Sequence, residues 1–298
     1  MRETGCSNLV VTGHGRFQAR MTELILHRVW LSSAEESLSR VAFMRLAPGL
    51  VRISLPVRSG TLLSGGIEIK PGEIATHAAG GPLHQRLCGP CHWGDIVLPA
   101  RYLARYGRAL SGAAIVVPPG PRLWQPTAEA LRHLTALHAG AMRVAGARPG
   151  KAAGAEAARG LEQELIYALV QCLSAGPVGA DGDSAVQQTR LMARFEQMVI
   201  AHPRRSLSVS DICSALGVAP RTLRDRCHKH LGMGPNRYGR LYRLLLARRA
   251  LRGGDPGTVR VSQVAGEYGF KGPSRFAASY RALFDEAPSA TLQRGLGG

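Results

Sequence analysis

The residues most capable of chemistry cluster in Arg86–Asp95, RLCGPCHWGD. Cys88, Cys91 and His92 form C-x-x-C-H, the attachment pattern of a c-type haem. C-x-x-C alone also serves redox dithiols and half of a zinc site. His77 and His84 lie just upstream, so five Cys and His residues of zinc-ligand type fall close together in sequence. Haem attachment of this kind normally follows export, yet MRETGCSNLVVTGHGRF at the N-terminus has no apolar run long enough for a signal peptide. A second cysteine pair is missing, and the histidines of this region, His77, His84 and His92, form no His-x-His. Gly89-Pro90 favours a tight turn, and a buried cysteine commonly acts as a small hydrophobe. The segment is expected to be a hairpin of strand, turn and strand, with thiol or metal sensing as the alternative. Nucleophile motifs, a P-loop and G-x-G-x-x-G are absent, so we expect no catalytic residues, no metal and no cofactor.

The second group of reactive side chains is cationic. The 298-residue chain has a net charge of +18, from 38 basic and 20 acidic residues. Residues 187–298 hold 19 Lys/Arg against 7 Asp/Glu, whereas residues 1–186 hold 19 against 13. A compact region with that excess suits a polyanion, although a solvated surface in an Arg-biased sequence gives the same count. Six cysteines in this length do not make a disulfide scaffold. No run of about 20 apolar residues occurs that could span a bilayer. A cytoplasmic location with reduced thiols is expected.

The elements that position these groups fall into two parts. Residues 40–120 contain short runs of β character: 50–57, 66–74, 93–100 and 113–119. Gly65-Gly66 and Pro71-Gly72 act as turn signals between them. Such spacing predicts a small antiparallel barrel or sandwich. Gly72-Glu73-Ile74 and Gly94-Asp95-Ile96 are expected as turns entering strands. After Pro126, TAEALRHLTALHAGAM and EAARGLEQELIYALVQCL have helical periodicity. In the latter, Leu161, Leu165, Ala168/Leu169 and Cys172 share one stripe, which can pack within its own domain or on a second copy. The expected division is a first domain over 1–173, a Gly-rich linker over 174–186 and a helical domain over 187–298.

An internal repeat organises the helical part. VSDICSALGVAPRTLRDRCHKHLGMGP is echoed by VSQVAGEYGFKGPSRFAASYRALFDEAP, 52–53 residues later. Corresponding positions pair Ile212 with Val264, Cys213 with Ala265, Gly217 with Gly269, Leu223 with Phe276, Leu231 with Phe284 and Pro235 with Pro288. A small residue where two short helices cross, then a glycine able to take positive φ, is what a helix-turn-helix requires. The second helix of each copy then exposes its N-terminal residues to a major groove. One copy would match many α-hairpins; two joined by one long helix are far more specific.

Together with RLLLARRAL (243–251) and VAGEYGF…SRFAASYRALFDEAPS, the repeat resembles the DNA-binding domain of the AraC/XylS family of transcriptional regulators, over about residues 190–293. The resemblance implies an α+β protein. A cupin-like N-terminal β-barrel with dimerisation helices would precede an all-α domain with two helix-turn-helix motifs. The implied partners are promoter DNA, a small-molecule effector held in the first domain, RNA polymerase and a second copy, and activator action belongs to the same picture. A small apolar or aromatic effector in the barrel is the default expectation. Carried over by position, Arg221, Arg224, Asp225, Ser274 and Arg275 fall where bases are read. Arg suits guanine O6 and N7, and Asp suits a cytosine amino group. Arg226, Lys229, His230 and Arg281 are assigned to phosphates, which position without specifying. Ala278 stands where many family members carry a basic residue. The rival reading is a metal- or redox-sensing cupin-like protein that uses Cys88/Cys91 and binds nucleic acid non-specifically.

Overall fold

The computed structural model describes residues 4–56, 60–78, 81–147, 154–178 and 182–294. Within the expected linker, 179–181 lie outside these residues. Gly182–Val186 already belong to a helix, so the helical domain begins earlier than the Gly-rich composition implied.

The first half is two antiparallel sheets laid face to face. The outer sheet runs β1 (Thr4–Val11), β4 (Arg40–Leu46), β9 (Gly81–Leu87), β6 (Leu62–Ser64) and β7 (Ile67–Ile69). The inner sheet runs β11 (Gly120–Trp124), β8 (Ile74–Ala78), β5 (Leu50–Pro56), β10 (Cys91–Pro99), β3 (Trp30–Glu36) and β2 (Ala19–Ile25). Strand alternation sorts side chains by parity. On β5, Val51, Ile53 and Leu55 face the helices α1 (Ala100–Ser111), α2 (Ala128–Ala147) and α3 (Ala155–Leu173), where they join Ile96, Leu98 and Leu165 in one core. Their neighbours Arg52 and Ser54 turn to the space between the sheets and bond Asp95. The α3 stripe, Leu161 to Cys172, packs into that same core, so it is used within its own domain.

The space between the sheets is filled, and much of the filling is polar. Arg40 bonds both carboxylate oxygens of Glu36 and also Gln85, while Trp93 Nε1 donates to Glu36 at 2.7 Å. Buried ions of this kind persist only when paired and hydrogen-bonded.

Several sequence expectations need correction. Residues 113–119 are not a strand; Pro118-Pro119 cannot sustain a ladder, and β11 starts at Gly120. Gly94 and Asp95 lie inside β10, not at its entry, and Asp95 is buried against Arg52. Gly72, with φ of 92°, does form the turn before β8. Strands β9 and β10 do flank the Cys88–Pro90 turn, but they belong to different sheets and therefore form no hairpin.

The second half is helical: α4 (Gly182–Ala201), α5 (Val209–Leu216), α6 (Pro220–Leu231), α7 (Pro235–Gly253), α8 (Val261–Glu267), α9 (Pro273–Phe284) and α10 (Pro288–Arg294). Two cores divide it, one under α5–α6 and one under α8–α9, with α7 contributing to both. The expected α+β character and the sheet-then-helix order are both present.

Candidate nucleic-acid interface

Each helix pair is built by local signals. Ser208 caps α5 by accepting from the Asp211 N–H at 3.0 Å. Gly217, at φ 69°, closes α5 in the left-handed region, and Pro220 opens α6 at its first turn. In the second copy Pro273 opens α9. Gly269, at φ 71°, turns the chain where a Cβ would meet the Arg204 carbonyl oxygen at 2.7 Å, so backbone conformation and space both demand glycine there. The repeated apolar positions are all core: Ile212, Leu223 and Leu231 in one half, Val264, Phe276 and Phe284 in the other. The small residues Cys213 and Ala265 are buried in the two cores.

With one face of α6 and of α9 committed to the core, the opposite N-terminal face is exposed. Arg221, Arg224 and Asp225 project from α6, and Ser274 and Arg275 from α9. Ala278 is exposed on α9 beyond them, and Arg281 lies further along, also exposed. Arg226 is half-buried. Lys229 is exposed and donates to Gln188 Oε1 of α4 at 3.1 Å. Arg240 of α7 donates to Ser279 of α9.

His230 departs from its expected role. It is only 1% exposed, and its ring lies against the β6–β7 turn, where a Cβ on Gly66 would stand 3.0 Å from Nε2. Burial, reinforced by nearby His84, Lys229, Arg226 and Arg86, lowers its pKa to about 3. A neutral ring under a sheet does not reach a phosphate, so His230 is not a phosphate contact in this arrangement. Helical phase explains the difference: Leu223, Cys227, His230 and Leu231 share the buried face of α6.

The first helix-turn-helix is joined to the outer sheet. Val10 and Val41 from β1 and β4 belong to the same core as Met192, Phe195, Leu223 and Leu231. At the centre is Glu196 of α4, fully buried. It accepts from Asn8 Nδ2 at 2.7 Å and from the Tyr238 hydroxyl at 2.9 Å, and lies 3.2 Å from His84 Nε2. Burial first, and the Glu196 carboxylate second, raise the Tyr238 pKa well above its ordinary value. Sequence reasoning passed over Glu196. Its signal was a lone carboxylate on the apolar face of α4, four residues after Met192 and three before Val199.

The cysteine–histidine cluster disperses. Cys88 is exposed at the turn, whereas Cys91 is buried and burial lifts its thiol to about 11. His77 is buried on β8, His84 faces Glu196, and His92 Nε2 lies 2.8 Å from the Ser33 hydroxyl. Among the described residues no group of three or more Cys, His, Asp or Glu side chains could hold a metal ion. No helix among them is long and apolar enough to cross a membrane.

Two basic helix pairs in tandem, bridged by one long helix, define a double helix-turn-helix unit. Residues 212–294 match the family described as "Helix-turn-helix domain". Over 99 residues the chain is 33% identical to the XylDLEGF operon transcriptional activator 2 of Pseudomonas putida, covering 33% of this chain and 63% of that one. Over 93 residues it is 32% identical to a probable thc operon regulatory protein of Rhodococcus erythropolis, covering 31% and 28%. A solved transcriptional regulator with an AraC-type DNA-binding domain from Chromobacterium violaceum aligns with 37% of this chain and 96% of its own, at 23% identity and a TM-score of 0.35. The chain spans less than two thirds of the length of the curated relatives it matches. The similarity lies in the C-terminal helices, which form a helix-turn-helix domain similar to those of AraC/XylS-type regulators.

Proposed function

We propose that the protein is a sequence-specific DNA-binding transcriptional regulator. The observation that carries this reading is the duplicated motif itself: α6 and α9 each bury one face and expose an Arg-bearing N-terminal face. Such helices enter two successive major grooves, about 10 bp apart centre to centre. Arg221, Arg224, Asp225, Ser274 and Arg275 are the base-reading set, and Arg226, Lys229 and Arg281 hold phosphates. Lys229 exchanges Gln188 for a phosphate when it does so. RNA polymerase at a promoter, a cytoplasmic setting and activator action complete the reading. The regulators of the xyl and thc operons named above support it, as does the basic balance of residues 187–298.

The N-terminal domain is proposed as a cupin-like sensing and pairing unit without catalytic activity. Its facing sheets and three helices support that layout. An effector seated between the sheets would exchange partners with Arg40, Glu36, Arg52 and Asp95, so a ligand with polar groups fits that space better than a wholly apolar one. Since the α3 stripe is used internally, a second copy would pair through other surfaces. Exposed Met21 and Ile25 on the edge strand β2 and Val144 on α2 are among the apolar residues available for it. Selection of bound fragments from random duplex DNA by the full chain tests the central reading. Recovery of a motif with two half-sites one helical turn apart supports it; capture of DNA without sequence preference sinks it.

A further inference from the structure

Helix α6 has two opposed commitments. Its first turns present Arg221 and Arg224 to solvent, and its last turn is clamped beneath the outer sheet. The clamp has an unusual composition for a permanent interface. Its apolar part is continuous, with Val10 and Val41 sealed against Phe195 and Leu231. Its polar part is satisfied on one side only. Glu196 gathers Asn8, His84 and Tyr238 within 3.2 Å, yet both ring nitrogens of His230 and the Nε of Arg86 are buried without a hydrogen-bond partner. A buried polar group left unmatched is destabilising, and opening the interface restores its contact with water.

The surroundings of His230 favour only its neutral form. From β9 it faces His84 and Arg86, and from its own helix Arg226 and Lys229, all cations or groups able to become cations. The β6–β7 turn offers Gly66 and no acceptor side chain. A Cβ at Gly232, just past the helix, would collide with Arg86 Nη1, so the guanidinium is pressed onto this end of α6. Glu196, the carboxylate of α4 in this seam, is already engaged by Asn8, by Tyr238 of α7 and by His84.

We propose that the seam between the outer sheet and the first helix-turn-helix is a proton-responsive clamp, released when His230 takes up a proton. The closed seam holds a ring that cannot be charged there; the open seam lets it charge in water. Stability of the contact is therefore fully present above the ordinary imidazole value of 6.5 and is lost as pH falls from there toward about 3. At pH 5 the closed-to-open ratio falls by about 30-fold relative to pH 8, as a ring confined to a pKa near 3 requires when it is freed to one near 6.5. Release hands the position of α6 from the sheet to the DNA. The proton-driven release goes beyond the DNA-binding reading and does not depend on it; only the handover to DNA rests on that reading.

The test is small-angle X-ray scattering of the full chain between pH 8 and pH 5 at constant ionic strength, alongside a His230→Gln variant. The wild type should expand on acidification with one proton bound, and the variant should keep one size throughout. Equal expansion of both, or of neither, overturns the proposal. If His230→Gln does not fold, histidine ring NMR of the wild type decides. A His230 signal that stays neutral to pH 4 in the compact chain and titrates only as the chain expands supports the clamp. One that titrates near 6.5 without expansion overturns it. DNA binding at neutral pH, measured on the same sample, is a separate reading: its absence would refute the regulator function while leaving the scattering result to judge the clamp.

Discussion

The two helix-turn-helix units are alike in layout and unlike in what holds them. The first centres on Leu223 and Leu231 and completes its core with Val10 and Val41 of the outer sheet. The second is aromatic and closes on itself. Phe270, Phe276, Tyr280 and Phe284 stack in sequence at centroid distances of 4.6–5.6 Å. Glu286 fastens it by accepting from Arg248, Arg294 and Thr291. The sheet domain touches it through the loop after β1, where His14 and Gly15 donate to the carbonyls of Ala282 and Leu283. One unit is thus wired to the sheet domain, while the other is an almost self-sufficient block. The repeat gives two similar helix pairs, and burial of polar groups distinguishes the coupled one.

That contrast can be broken most forcefully in the second core. Phe276→Ala should cost about 3–5 kcal/mol, with chemical denaturation showing loss of the α8–α10 region. If the cost is below about 1 kcal/mol, the aromatic stack does not hold this half. Removing the carboxylate at the seam comes next. Glu196→Ala removes one shared partner from Asn8, His84 and the Tyr238 hydroxyl together, an effect of about 3 kcal/mol on unfolding. Amide exchange should show it in β9 and α6 and not in α9; equal loosening of both units would erase the distinction between them. At the reading surface, Arg224→Ala should weaken the preferred site by about 1–3 kcal/mol and relax one base position. Uniform weakening on all sequences would make Arg224 a phosphate contact instead. The smallest effect concerns acid. Burial acts to raise the Glu286 pKa, but hydrogen bonds from Thr291 and Arg248 outweigh it and leave the value lowered. Stability from this carboxylate is present above its ordinary value of 4.5 and lost as pH falls through the lower folded one. Glu286→Gln should flatten that part of the acid-unfolding curve, and an unchanged curve would deny Glu286 its fastening role.

The helical half was legible in sequence because each anchor occurs twice. Leu223 alone is one leucine among many, but Leu223 matched by Phe276 fixes the buried face of both α6 and α9. The front half was less legible. β2 is an exposed edge strand whose burial pattern gives little alternation to read, and α1 is Arg-rich with few buried positions. The seam could not be read from either domain alone. His230 is periodic with Leu223 and Cys227, which marks it as inward-facing, but its neighbour there is Gly66, more than 160 residues away. His84 and Glu196 likewise meet across 112 positions. Local periodicity tells which face is covered and says nothing of what covers it.

Helix α7 runs unbroken from Pro235 to Gly253, and at about 1.5 Å per residue its 19 residues form a strut of roughly 28 Å. On the proposed reading, a strut of that kind would make the two helix pairs keep phase with the double helix as teeth on one rack. Adding a single residue to α7 would swing α9 by about 100° around the axis and aim its arginine off the groove, with every contact inside the second unit intact. Adding seven would restore the facing to within about 20° while lengthening the rack by about 10 Å, or roughly three base pairs. Under the proposed function, the number of residues between Pro235 and Gly253 would therefore be a gauge length, setting the spacing of half-sites independently of the letters those half-sites spell.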